Sequence, residues 1–263
     1  MKKLVLALTA VAAFSGSALA ADLPARTYSK APIMEPIPSW TGFYIFGGAG
    51  GGLWDANTGI VATGTNACVL CTNQKQGGDG WLGTVGAGYD WQFGGDWVAG
   101  IFADGQWGSI KGSIQDQTLL ATGWETNRDS YAVGVRLGYL VGPTVYSYVN
   151  AGWAGTQWSG TTLLNSASGL ASGFHTNGFN TNGWFLGGGV ENKLALFSFL
   201  GPNWFMKTEY RAVYNNTKTI NELVDGTNAL AANSITFKPF TQTISTSLVY
   251  RFNWTGAPVV SKY

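Results

Sequence analysis

Charge is scarce in this chain: Asp, Glu, Lys and Arg together make up 11% of it, about half the usual share for a soluble globular protein. A water-facing surface dense in Lys and Glu is therefore out of reach. Neither sign predominates. Removing Lys2 and Lys3 with the leader described below leaves 13 basic against 14 acidic residues, so a nucleic-acid partner has no electrostatic support. Long apolar runs are missing as well. Beyond residue 20 no stretch approaches the roughly 18–20 residues of a membrane-crossing helix, which excludes a helical membrane protein. Histidine occurs once, at His175, and cysteine twice, at Cys68 and Cys71.

What the chain has instead is glycine (38 residues), tryptophan (12) and 14% aromatic residues. Its N-terminus carries Met1-Lys2-Lys3, an apolar run from Leu4 to Phe14 and the small-x-small triplet Ala18-Leu19-Ala20. These predict a secretory signal peptide over residues 1–20, cleaved at the Ala18/Ala20 site. Residues 21–39 hold Pro24, Pro32, Pro36 and Pro38, show no period and read as an extended periplasmic arm. The other prolines fall in turns or, for Pro239, ahead of the last strand, and none is expected inside a strand.

The closing stretch Thr241 to Phe252 sets the pattern for everything before it. Ile244, Leu248, Tyr250 and Phe252 share one face, while Thr241, Thr243, Ser245, Ser247 and Arg251 share the other. Such alternation suits a strand with lipid on one side and a polar lumen on the other. The same rhythm recurs from Trp40, Trp81, Trp97, Ser130, Val145, Thr181 and Trp204 onward. Eight strands are therefore expected. Tight turns such as Gly94-Gly95-Asp96 alternate with four long polar connections, 54–80, 111–128, about 159–180 and about 215–234, expected as loops. A soluble eight-stranded barrel would need charge on its outer faces, and these faces have essentially none.

Alternation sends eight charges inward: Asp90, Asp104, Glu191 and Glu209 against Arg136, Lys207, Arg211 and Arg251. In a narrow interior such groups are expected to pair. Eight strands leave a lumen that side chains nearly fill, which favours a plug over a wide channel. The inward glycines Gly86, Gly88, Gly134 and Gly138 leave room for water, so a narrow pore stays open as an alternative.

Other constellations are weaker. Cys68 and Cys71, in an exported chain and with no helical pattern after them, point to a loop disulfide instead of a redox site. Gly78-x-Gly80-x-x-Gly83 opens a strand and so fails the context of a dinucleotide fingerprint. Ser172 and His175 lie close in sequence, but no orienting acid is evident, and His175 reads as a solvated loop residue. No catalytic, cofactor or metal site is predicted. The polar connections are suited to an exposed surface, with no motif naming a ligand.

Several segments then point to one family. Ala21-Asp22-Leu23-Pro24, Trp40-Thr41-Gly42-Phe43-Tyr44, Gly187-Gly188-Gly189-Val190-Glu191, Lys207-Thr208-Glu209-Tyr210 and Tyr250-Arg251-Phe252-Asn253-Trp254 resemble the small alphaproteobacterial outer-membrane proteins of the RopB/Omp porin type, related in architecture to the OmpA transmembrane domain. The resemblance implies an all-β, eight-stranded antiparallel up-and-down transmembrane barrel over 40–254, followed by a tail at 255–263. It also implies partners: outer-membrane lipid and lipopolysaccharide, and the barrel-assembly machinery, addressed through Leu248, Tyr250 and Phe252. The expected role is structural, in envelope integrity and surface display, with a low-conductance pore or a surface ligand-binder as alternatives.

Overall fold

Alternating β-branched, aromatic and glycine-rich segments form eleven strands in the computed structural model, which describes residues 39–194 and 202–252. The predicted signal peptide with Ala18 and Ala20, the arm up to residue 38, residues 195–201 of a connection and the tail from residue 253 lie outside the described residues. The strands are β1 (Gly42–Ala62), β2 (Cys68–Phe93), β3 (Trp97–Asp116), β4 (Ala121–Gly142), β5 (Val145–Trp158), β6 (Thr161–Asn165), β7 (Ala171–Thr176), β8 (Phe179–Lys193), β9 (Trp204–Asn215), β10 (Lys218–Val224) and β11 (Leu230–Arg251).

All pairings are antiparallel, and the sheet closes. β1, β2, β3, β4, β5, β8, β9 and β11 pair in that order, and β11 returns to β1 from Tyr44↔Arg251 up to Ala62↔Asn233. A second circuit shares five of these strands, β1 to β4 and β11. Beyond the ends of β5, β8 and β9, the path from β4 runs through β6, β7 and β10 to β11. The wall thus continues upward as a cap, away from the turns at Gly94–Asp96 and Pro143–Thr144.

Two sequence expectations need correction. The described residues hold eleven strands where eight were expected, because the four "loops" are largely sheet: β1, β2, β3, β4 and β11 run on through them, and β6, β7 and β10 lie wholly within them. Their outward faces become polar above the membrane level, which disguised the strands as loops. Pro239 is also inside a strand, opposite Ala56. It is tolerated because it sits at a break. Phe240 pairs with Tyr214 of β9, whereas Phe237 pairs with Lys218 of β10, so β11 changes neighbour there.

The faces invert along the strands. Lower down, outward residues are apolar and bounded by two aromatic belts: Trp81 and Trp91, Trp97 and Trp107, Trp204 and Tyr214, Phe240 and Tyr250 stand ten residues apart on their strands. At a rise of about 3.3 Å per residue and a tilt of about 40°, that spacing is roughly the 25 Å of an outer-membrane apolar band. No outward residue between the belts is charged. Above the upper belt Asn57, Lys75, Lys111 and Gln157 face outward, and Trp54, Ile60, Ile114, Trp158, Ile235 and Phe237 form a buried core inside.

Closure between β1 and β11 depends on glycine. A Cβ added at Gly48 or Gly50 would overlap the carbonyl oxygens of Thr246 and Ile244. Gly50→Val is expected to destabilise the barrel by about 1–3 kcal/mol through overpacking, read as a lower urea midpoint in detergent micelles.

Candidate functional site

The lumen gathers the inward charges into two clusters. In the lower one, Arg136 of β4 donates from Nε and Nη2 to both Asp90 oxygens (2.9 and 2.5 Å) and from Nη1 to Glu191 (3.3 Å). Arg251 of β11 donates to Glu191 at 2.7 Å and to Asp90 at 2.9 Å. Two guanidinium groups and two carboxylates from β2, β4, β8 and β11 therefore close a ring across the interior. Each guanidinium also lies over an aromatic face, Arg136 over Tyr44 and Arg251 over Trp40, both at 4.2 Å. These contacts settle the orientation of the first strand: Tyr44 and Phe46 face inward beneath the cations, and Phe43 and Ile45 face outward.

In the second cluster Arg211 grips Asp104 through two parallel bonds of 2.9 and 2.7 Å and reaches Glu209 at 2.8 Å. Lys207 lies 3.5 Å from the other Glu209 oxygen and over the Phe46 ring. Tyr148 joins the clusters, donating to Glu209 at 2.8 Å while its ring lies beside Arg136. All eight side chains are buried.

The inward glycines are not open space. The space at Gly86, Gly88 and Gly134 is taken by the rings of Phe46, Tyr44 and Phe185, and Gly138 is closed by the neighbouring strand at Ser147 and Tyr148. Beside Asp104 and Arg211 only about 10 Å³ remains for water centres, room for about one molecule.

Three further buried carboxylates, Asp116, Glu125 and Glu222, lie in the cap. Sequence reasoning missed them because it placed their segments in loops. Extending the β3 alternation through Ile110 and Ile114 would have turned Asp116 inward. Burial first, then the facing Asp116 carboxyl, pushes Glu222 up to about 8. Burial pushes Glu125 to about 8 as well, only partly offset by the Thr126 N–H and the Ser159 hydroxyl.

Cys68 and Cys71 are joined by a disulfide at the start of β2. His175 is not a solitary loop residue: it lies on β7, with Nδ1 2.6 Å from Asp225. Ser172 donates instead to the Leu163 carbonyl, so no Ser–His pair forms. Leu248 and Tyr250 face outward on β11, and Phe252, just past its end, packs edge-on against Tyr250.

These features define a closed β-barrel with an apolar outer band and paired charge inside, and comparison with known proteins places it. The chain is 33% identical to the 31 kDa outer-membrane immunogenic protein of Brucella melitensis biotype 1, and equally to that of Brucella suis biovar 1, across 96% of this chain and 100% of each relative. It belongs to the family of these 31 kDa outer-membrane immunogenic proteins. No family model matches the sequence. Among solved structures, the outer membrane protein OprG from Pseudomonas aeruginosa is similar at 12% identity and a TM-score of 0.49, covering 82% of this chain and 99% of that one, a likeness too loose to carry an argument. As a member of the Brucella family, the protein resides in the outer membrane of a Gram-negative cell.

Removing one arm of a buried ion network strands the others. Arg136→Met is expected to lower stability by about 3–5 kcal/mol, because Asp90 and Glu191 each lose a buried partner, measured by urea unfolding in micelles.

The cap should respond to pH in the opposite sense from an ordinary ion pair. A carboxyl whose folded pKa exceeds its ordinary value of 4.5 favours the fold when protonated, so this contribution is full below about pH 4.5 and lost as pH rises through about 8. Protection factors of the β10 amides, corrected for the base-catalysed intrinsic rate, are expected to be higher at pH 5 than at pH 8.5, and Glu222→Gln should flatten that difference.

Proposed function

We propose that this protein is a structural barrel of the outer membrane whose lumen is closed by paired charge and whose sheet-built cap is its presented surface. In this reading the lower circuit, β1 to β5 with β8, β9 and β11, is an eight-stranded transmembrane barrel, and the cap stands outside the cell. The observation that carries it is the ring of Arg136, Asp90, Arg251 and Glu191 across the interior, backed by aromatic rings. The relatives' names, which call them immunogenic, support surface exposure of the cap.

Two delivery steps complete the proposal. Residues 1–20 act as the cleaved export signal, and the outward Leu248 and Tyr250 with Phe252 address the chain to the barrel-assembly machinery. Neither a catalytic nor a cofactor role is assigned to any residue.

Planar-bilayer recording of the refolded mature chain tests the seal. No stepwise current above background is expected at neutral pH. Discrete steps whose size changes with Lys207→Ala would overturn the closed-lumen reading in favour of a narrow pore.

A further inference from the structure

Immediately above the upper aromatic belt, the outer wall carries a polar groove that the lumen account leaves unused. It is lined by Tyr131, Asn180, Asn182, Asn216, Thr217 and Lys218, with about 180 Å³ available to water centres. Its floor depends on a missing side chain: a Cβ at Gly155 would strike the Tyr131 ring, so the ring lies across β5 toward β8. Asn182 and Asn216 are tied to each other, Nδ2 of Asn216 donating to Oδ1 of Asn182 at 3.0 Å. The groove therefore offers an aromatic face beside amide and hydroxyl groups, the combination that suits a sugar ring.

Cations flank it. Lys218 lines the groove itself, and Lys238 lies beside it on β11, between the pairs Phe237↔Lys218 and Phe240↔Tyr214. Asn57 pairs with Lys238 on one side and Lys75 on the other, which places Lys238 and Lys75 two strands, or about 10 Å, apart. All three lysines are exposed, and none forms an ion pair among the described residues. The carboxylates of Asp55 and Asp79 lie on the same outer wall, nearer the belt.

The height of the patch selects its occupant. Lys238, Lys218 and Lys75 stand two, four and six residues beyond the belt residues Phe240, Tyr214 and Trp81, roughly 5 to 15 Å above the belt, which in the outward orientation proposed above is the layer of headgroups and core sugars of the outer leaflet. We propose that Lys75, Lys218 and Lys238 with the Tyr131–Asn182–Asn216 groove form a binding site for a phosphorylated glycolipid headgroup of that leaflet, the lysines holding phosphate and the groove holding an adjoining sugar. Unpaired lysines at this level gain more from a lipid phosphate than from water, since phosphate is a fixed anion beside a low-dielectric surface.

The full mature chain is reconstituted in phosphatidylcholine nanodiscs containing rough lipopolysaccharide, the same lipopolysaccharide dephosphorylated, or phosphatidylglycerol. Glycolipid retained after detergent exchange is measured by native mass spectrometry. Retention of the phosphorylated form is expected to exceed that of the other two lipids at least tenfold. Lys75→Gln/Lys218→Gln/Lys238→Gln should abolish this preference, the matching Lys→Arg triple should keep it, and Lys193→Gln, near the opposite end of the barrel, should not alter it. Asn182→Ala/Asn216→Ala should keep phosphate dependence but lose the preference for sugar over phosphatidylglycerol. Heat-modifiable gel mobility checks that each variant folds. Equal retention of all three lipids by the wild type, or undiminished preference in the folded glutamine triple, would overturn the proposal.

Discussion

Each long strand of this barrel passes between two solvents, and its side chains change places where the solvent changes. Hydrocarbon admits apolar groups outside and forces the polar ones inward; water above it does the reverse. The inversion at the upper belt therefore puts the ionic clusters in the lower interior and the Trp54–Trp158–Phe237 core in the upper one. A single continuous sheet serves both because successive residues always point to opposite faces. Only the identity of the buried partner changes with height.

Inside the lower circuit, eight charges share a space too small for their hydration shells. Burying an ion costs several kcal/mol unless geometry and further hydrogen bonds offset it. Here Arg136 and Arg251 each touch both Asp90 and Glu191, so every charge in the ring has more than one partner. Aromatic faces take up the remaining sides of the guanidinium groups. An apolar filling of equal volume would be no less stable, but it would not distinguish one strand register from another. A network drawing on four strands is satisfied only when all four are in register.

Alternation made the membrane-level strands legible, with their inward charges, because both faces there obey one simple rule. From Trp81 to Phe93 and from Trp97 to Trp107, the exposed and buried positions follow the sequence pattern except at Gly83, which the Trp107 ring covers. The first strand was ambiguous, since Tyr44 and Phe46 are as apolar as Phe43 and Ile45; only the cations across the lumen tell the two faces apart. The cap escaped for a different reason. Polar residues at Asp55, Asn57 and Lys75 look like loop when lipid is assumed outside, although Ile60, Ile110 and Ile114 keep the period. The Asp116, Glu125 and Glu222 carboxylates vanished from view with their strands, and the His175–Asp225 contact joins segments fifty residues apart that no local spacing connects.

The two closed circuits also decide how another molecule can hold on to this one. In most sheet proteins the outermost strand leaves a row of backbone donors and acceptors that a passing peptide can adopt as its template. Among the described residues every strand has a neighbour on both sides at membrane height, whereas in the cap β2 pairs with β3 only from Gly78 onward, and its upper stretch, residues 68–77, is paired with β1 alone. In the proposed orientation, recognition from outside the cell is thereby confined to side chains, to the short turn tips near residues 63–67, 117–120, 166–170 and 225–229, and to that one stretch of β2. Whatever grips this surface elsewhere must match its particular chemistry, since only that stretch of β2 offers the backbone as a handhold.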